Sequence, residues 1–254
     1  MPKKKYKKPN NTGKIQTIYG LHAVRAALFN NKRVHEHLYI TENHKQITEN
    51  IGSKIQKITI LDQKEFKKMH GESKSNQGIV LITNDFERPN LQQFLKNKNE
   101  DEKSVLLALD QITDPQNIGS IMRSCALFNC TGIIVAKDNA PDLTPSLYKA
   151  ASGAAEIVNY FKVTNLKRSI TELKKYGYWV YGFDSSNESN SEDIKFSKKA
   201  ILVFGSEGKG IRNLVKKECD VIIKLKMKKN IDFQIDSLNV SNAASIALYE
   251  FYKS

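Results

Sequence analysis

Residues 104–129, SVLLALDQITDPQNIGSIMRSCALFN, carry two periodicities with a short polar stretch between them. Ser104 to Leu109 is a short apolar run, the pattern of a buried strand. Ile118, Ile121, Met122, Cys125 and Phe128 then recur at helical spacing along one stripe. Between the two, Asp110 to Gln116 is polar and holds Pro115, which keeps Asp114 out of helical dihedrals. Strand, polar loop, helix is the unit of an open α/β sheet, and such sheets carry their sites where the strands end. Three residues of this stretch bear on a site. Asn117 stands where a helix N-cap would. Gly119 lies in the first turn, where the missing side chain lets something approach the backbone. Arg123 points away from the apolar stripe with a guanidinium charged at neutral pH. On this stretch alone, a capped surface helix with a solvated arginine explains them equally well.

The rest of the chain repeats the alternation. Strands are expected at 132–136, 178–183, 200–204 and 221–225, and helices at 145–155, at 165–176 and from Leu238 to the end. Asn165 caps the second of these helices and Gly177 ends it. Residues 104–254 thus read as an α/β domain. Residues 16–84 read as a smaller α/β unit. Its helix after Tyr19-Gly20-Leu21-His22 runs to about Asn30, a strand spans His37 to Ile40, a helix Lys45 to Lys57 and a strand Lys57 to Leu61. A helix capped by Asp62 and a strand from Gly78 to Thr83 complete it. His22, at a helix start, is more simply packed or solvated than catalytic. Residues 85–103 are polar and charged and read as an interdomain linker.

With 254 residues the chain fits one large or two modest domains. Its longest apolar runs are strand-sized, so no transmembrane helix is expected. A net charge of +13 favours a polyanionic partner, nucleic acid first and an anionic membrane surface second. Cys125, Cys130 and Cys219 form no Cys-x-x-Cys pair and no Cys/His cluster, so no structural zinc is expected, and their scarcity suits a reducing compartment. Cys125, on the apolar stripe, reads as core. The opening MPKKKYKKPNNTGK holds six lysines and no acid. Lacking an apolar stretch, it is not a secretory signal, and the cytoplasm is the simplest location. Residues 1–15 read as a disordered basic tail, either an arm for phosphates or a solubilising segment.

Two further segments bear on chemistry. Gly205-Ser206-Glu207-Gly208-Lys209-Gly210 follows a strand but lacks the spacing of a nucleotide-triphosphate loop, since Lys209 is followed by glycine. Ser237-Leu238-Asn239-Val240-Ser241 opens the last helix. Taken in order, Asn117-x-Gly119-x-x-x-Arg123, Gly205-x-Glu207-x-x-Gly210 and Ser237-Leu238-Asn239-Val240-Ser241 resemble the three motifs of the SpoU (TrmH) RNA ribose 2′-O-methyltransferases. The resemblance covers roughly residues 16–254 and is strongest to the RlmB-type branch, which methylates a guanosine of 23S rRNA.

The resemblance implies a SPOUT-type α/β knot, a deep trefoil knot on a parallel sheet, preceded by a small α/β RNA-binding domain. S-adenosyl-L-methionine is the implied cofactor, with Gly205, Leu225 and Leu238 binding it. Without the family, Leu225 and Leu238 read as plain core. Arg123 corresponds to the arginine that acts on the target hydroxyl. Its pKa above about 12 suits electrostatic stabilisation better than proton abstraction. Asn117, Glu207, Ser237 and Asn239 are implied to orient Arg123, RNA or cofactor. No metal is implied; a homodimer is. The substrate implied is rRNA, the alternatives being tRNA or a non-catalytic RNA-binding or ribosome-assembly role. One departure stands out: Leu225 to Ser237, LKMKKNIDFQIDS, lacks the proline and glycine usual in the family and is a few residues longer.

Overall fold

The computed structural model describes residues 14–51, 54–71, 76–97, 102–185, 195–227 and 237–254. Most of the basic tail, the centre of the polar loop after Phe183 and residues 228–236 of the departing segment lie outside these. The chain divides at Glu87/Arg88 into two units.

The first unit contains β1 (Ile15–Tyr19), α1 (Leu21–Phe29), β2 (His35–Thr41), a 3₁₀ segment (Glu42–Asn50), β3 (Ile55–Leu61), α2 (Gln63–His70) and β4 (Ile79–Asn84). The sheet order is β1-β4-β2-β3, with β4 antiparallel to both neighbours and β2 parallel to β3. Ile18, Leu38, Ile40, Ile79 and Leu81 are fully buried, as are Val24 and Ala27 of α1. Asp62 caps α2 with a full capping box, accepting from the backbones of Lys64 and Glu65. Two expectations do not hold in full here. The helix expected over 45–57 is only partly present: a 3₁₀ segment covers Glu42–Asn50, and the β2 ladder claims the chain from Ile55 onward. Residues 15–19, expected as a lead into α1, form edge strand β1.

The second unit runs α3 (Leu91–Lys96), β5 (Ser104–Asp110), α4 (Pro115–Leu127), β6 (Gly132–Ala136), α5 (Pro145–Ala151), β7 (Asn159–Val163), α6 (Leu166–Lys175), β8 (Trp179–Phe183), β9 (Lys199–Gly205), α7 (Asn213–Lys216), β10 (Val221–Ile223) and α8 (Val240–Lys253). The six strands are all parallel, in the order β10-β8-β9-β5-β6-β7. Central strands β5 and β9 are covered on both faces, which is why they read as unbroken apolar runs. Edge strand β7, NYFKV, buries only Phe161 fully and left no such run. Part of the stretch expected as linker is core: Leu91 and Leu95 of α3 pack into the main apolar cluster. The chain steps outward from β5 through β6 to β7, then returns to build β8, β9 and β10 on the other side. That reversal puts a crevice at the carboxyl ends of β5 and β9.

Two details of α4 change the local reading. Its N-cap is Asp114, which accepts from the backbone of Gln116, and Pro115 takes the first helical position. Asn117 is therefore inside the first turn, with its side chain free for other partners. Gly119 serves packing, because a Cβ there would lie 2.4 Å from Ala150 Cβ and 2.8 Å from the Ala151 backbone nitrogen of α5.

Candidate active site

Gly205 ends β9 and pairs in register with Asp110, the last residue of β5. Beyond it the chain doubles back: Ser206 and Gly210 form an antiparallel bridge, and the Gly210 amide donates to the Ser206 carbonyl at 2.9 Å. The fold-back leaves no space at Gly205, where a Cβ would meet the Gly210 carbonyl carbon at 1.9 Å. Only glycine allows the strand to end this way. The turn projects Glu207 sideways, toward the start of α4 and the start of α8.

There the three sequence motifs meet. Asn239 is the N-cap of α8; its Oδ1 accepts from the backbone of Ser241 at 2.9 Å and from the Ser241 hydroxyl at 2.6 Å. Its amide donates to Glu207 Oε1 at 2.8 Å and to Asn117 Oδ1 at 3.0 Å. All the hydrogen-bonding capacity of that side chain is thus in use. The Asn117 amide donates in turn to Glu207 Oε1 over a longer 3.4 Å. A chain of serines continues the link: Ser245 Oγ donates to the Ser241 carbonyl at 2.7 Å and meets Ser124 Oγ of α4 at 2.6 Å.

Beside this cluster lies a cavity of about 300 Å³. Gly205, Ser206, Glu207, Leu225, Ser237 and Leu238 line it, with Phe183, Phe204, Ile223 and Met227 supplying more apolar wall. Phe183 and Phe204 stack at 4.8 Å with planes 10° apart. Asp184, which also lines it, is paired with Lys216 at 2.8 Å. A glycine turn with close backbone access on one side and apolar side chains on the other suits a flat heterocycle carrying a polar tail. A wider groove of about 680 Å³, lined by Gln92, Asn165, Arg168, Glu172 and other residues on and around α6, contains none of the motif residues.

Seven of the eight sequence-derived site residues therefore lie in one place: Asn117, Glu207 and Asn239 in the cluster, and Gly205, Leu225, Ser237 and Leu238 in the cavity wall. Arg123 stands apart. It is exposed on α4, six residues beyond Asn117 and so about 9 Å along the helix axis. Among the described residues no hydrogen bond or ion pair reaches it. Asn117, Glu207 and Asn239 bond to one another and not to Arg123, so its guanidinium is open to a ligand. Sequence reading missed two residues of this region. Asp110, read there as the start of a polar loop, is the buried last residue of β5, and Arg212 pairs with it. An acid closing an otherwise apolar run was the available signal.

Residues 104–249 match the SpoU rRNA Methylase family, and residues 17–89 match the family described as RNA 2′-O ribose methyltransferase substrate binding. Fold, site and matched segments are together those of an RNA 2′-O-methyltransferase. The chain belongs to the SpoU rRNA methylase family. It is 34% identical over 243 residues to the 23S rRNA (guanosine-2′-O-)-methyltransferase RlmB of Coxiella burnetii, covering 93% of this chain and 95% of that one. A Staphylococcus haemolyticus protein assigned to the TrmH family of tRNA/rRNA methyltransferases is 33% identical over 240 residues, covering 93% and 94%. Among solved structures, the SpoU methyltransferase AviRb of Streptomyces viridochromogenes in complex with AdoMet superposes with a TM-score of 0.75 at 19% identity, covering 93% of this chain and 89% of that one. Among the described residues no group of His, Cys, Asp and Glu could hold a metal ion, and no helix is long and apolar enough to cross a membrane.

Proposed function

We propose that this protein methylates the ribose 2′-hydroxyl of a guanosine in 23S rRNA, using S-adenosyl-L-methionine. The observation that carries this reading is the convergence of Asn117, Glu207 and Asn239 beside a cavity lined by Gly205, Leu225 and Leu238. The cavity fits the cofactor: its apolar wall and tight glycine turn suit the adenine, and the carboxylate of Glu207 suits the positive charge. When bound, the cofactor supplies a methyl group on a positively charged sulfur. Gly205, Leu225 and Leu238 hold it, largely through backbone groups. Arg123 binds a phosphate next to the target nucleotide and stabilises the alkoxide that develops as the hydroxyl proton leaves. Such donors typically contribute about a hundredfold or more to rate. Asn117, Glu207, Ser237 and Asn239 fix the position of cofactor and ribose, so the reaction proceeds in line.

Residues 16–84 act as the RNA-binding domain and residues 104–254 as the catalytic domain. The net charge of +13 supports an RNA partner. The enzyme works in the cytoplasm as a homodimer whose site draws on both subunits. The deep trefoil knot of the fold family is compatible with the strand order, in which β8 lies between β10 and β9. The identity to the Coxiella burnetii enzyme favours 23S rRNA. The staphylococcal relative's name spans tRNA and rRNA, which keeps tRNA as the second reading. Mapping ribose methylation across all RNAs of a strain lacking the gene decides between them. Loss of one guanosine methylation in 23S rRNA is the expected result, and loss at a tRNA position instead would establish the second reading.

A further inference from the structure

The Asp110 carboxylate is fully buried at the end of β5 and has three bonds from one residue. The Arg212 backbone amide donates to its Oδ2 at 2.9 Å, Arg212 Nε to its Oδ1 at 2.9 Å, and Nη2 lies 2.7 Å from the same Oδ1. The Asp110 hydrogen bond raises the Arg212 pKa further, against the opposing effect of burial. A buried carboxylate needs such partners to stay charged.

The pair is placed at both ends of one loop. Asp110 is the register partner of Gly205, where the loop leaves the sheet, and the anchor of Arg212, where the loop returns. Between these points the Ser206–Gly210 bridge and the absence of space at Gly205 leave the backbone little freedom. The residue projected from the middle is Glu207. A bond that served only to bury arginine would not leave the Arg212 side chain 45% exposed. The carboxylate, not the arginine, is what the fold encloses, and it closes the turn that carries Glu207.

We propose that Asp110 is a positioning residue for methyl transfer: acting through Arg212, it holds the 205–210 turn in the shape that brings Glu207 against Asn117 and Asn239. This rests on the site role assigned to Glu207 above. Asp110 itself touches neither RNA nor cofactor in this scheme.

A double-mutant cycle tests it. Single-turnover methyl transfer is measured at saturating cofactor and RNA for the parent, Asp110→Asn, Glu207→Gln and the double variant, with melting followed in parallel. Asp110→Asn should slow transfer by about tenfold to a hundredfold, as small misplacements do. The double variant should be no slower than Glu207→Gln alone, because the effect of Asp110 passes through that side chain. If the two losses multiply, Asp110 acts independently of Glu207 and the inference fails while the site reading stands. If Glu207→Gln turns over like the parent, the site reading fails and takes the inference with it. Should Asp110→Asn not fold, Arg212→Ala enters the same cycle from the exposed end of the pair. There Arg212→Lys, which keeps the charge and the backbone bond but loses Nε, should restore part of the rate. Equal rates for Arg212→Ala and the parent would overturn the proposal.

Discussion

The two units keep different ionisable groups. All five histidines of the chain fall between residues 22 and 70, in the first unit; all three cysteines fall between 125 and 219, in the second. Two imidazoles of the first unit, His37 and His70, sit in ring contacts. His37 stacks on Tyr39 at 3.8 Å, and Tyr39 and Phe66 both pack against His70. The second unit uses carboxylates closed by cations at the ends of parallel strands, Asp110 with Arg212 and Asp184 with Lys216. Imidazoles are the side chains that change charge across the neutral range. The histidines thus belong to the unit that carries none of the three motifs, and that is where mild acid is expected to act first. Variants and pH can be chosen to separate the two.

The largest effect belongs to Arg123. Arg123→Ala removes an exposed side chain from α4, so melting should stay unchanged while methyl transfer falls by about a hundredfold or more, the usual loss when a charge-stabilising donor is deleted. Near-normal turnover would discard the assignment. RNA binding by the first unit should persist in this variant, which a filter-binding or gel-shift titration reads directly.

Next comes a pair of glycines within the second unit. Gly205→Ala forces a methyl group against the Gly210 carbonyl carbon, so the turn must move. Overpacking of this kind costs about 1–3 kcal/mol. Because the displaced turn is also the cavity wall, affinity for S-adenosyl-L-methionine should fall with it. Gly119→Ala meets Ala150 and the α5 backbone instead. It should lower stability by a comparable amount and leave cofactor affinity within about twofold of the parent, since the two sites share no partner. Calorimetric titration of both variants checks this; equal loss of affinity would mean that the α4–α5 contact is part of the cofactor site.

These glycines also mark how far the sequence could be read. The alternation of apolar runs and helical stripes was enough for the α/β class, for β5, β6, β8 and β9, which are covered on both faces and apolar throughout, and for the edge strands β3 and β10, whose apolar content was still enough. Two of the four edge strands, β1 and β7, carry mixed patterns and were missed. The three motifs drew attention through residue types that packing alone does not require, and seven of eight candidates meet at one end of the sheet. What could not be read was which partner each residue finds. Gly119 looked like an opening for a ligand and is a seat for α5; Asn117 looked like a cap and is freed from capping by Asp114. Asp110 and Arg212, 102 residues apart, are joined only by tertiary folding.

Acid sharpens the comparison from the other side. Burial holds the His37 and His70 pKa values below the ordinary imidazole range, with Lys57 adding to the effect at His37. Both rings therefore favour the neutral form more in the folded unit than in the unfolded chain. Below the unfolded value of about 6.5 the unfolded chain binds more protons, so the stability of the first unit should decline as pH falls from about 7 toward 5. The second unit has no histidine and should show no loss over the same window. Ring-proton resonances of the first unit, followed with amide exchange of β5 and β9, would detect this. A parallel decline in both units would mean that they unfold as one.

Alkali probes the other partition and gives the smallest effect. Burial pushes the Cys219 thiol up to about 12, with Asp220 adding to the rise and Lys174 and Lys216 opposing it; burial raises Cys125 as well. A raised pKa keeps a thiol protonated, and only the thiolate is alkylated. At pH 8 a thiol with pKa near 12 is about one part in ten thousand thiolate, against about one part in four for an ordinary cysteine near 8.5. Iodoacetamide should therefore label Cys219 slowly in the native protein at pH 8 and quickly after denaturation. Lowering the pH to 5 and returning to 8 should not raise the native rate, because the acid-sensitive unit holds no cysteine. Fast native labelling at pH 8 would mean that the β8–β10 edge around Cys219 opens readily, and the second unit would lose its place as the rigid half of the comparison.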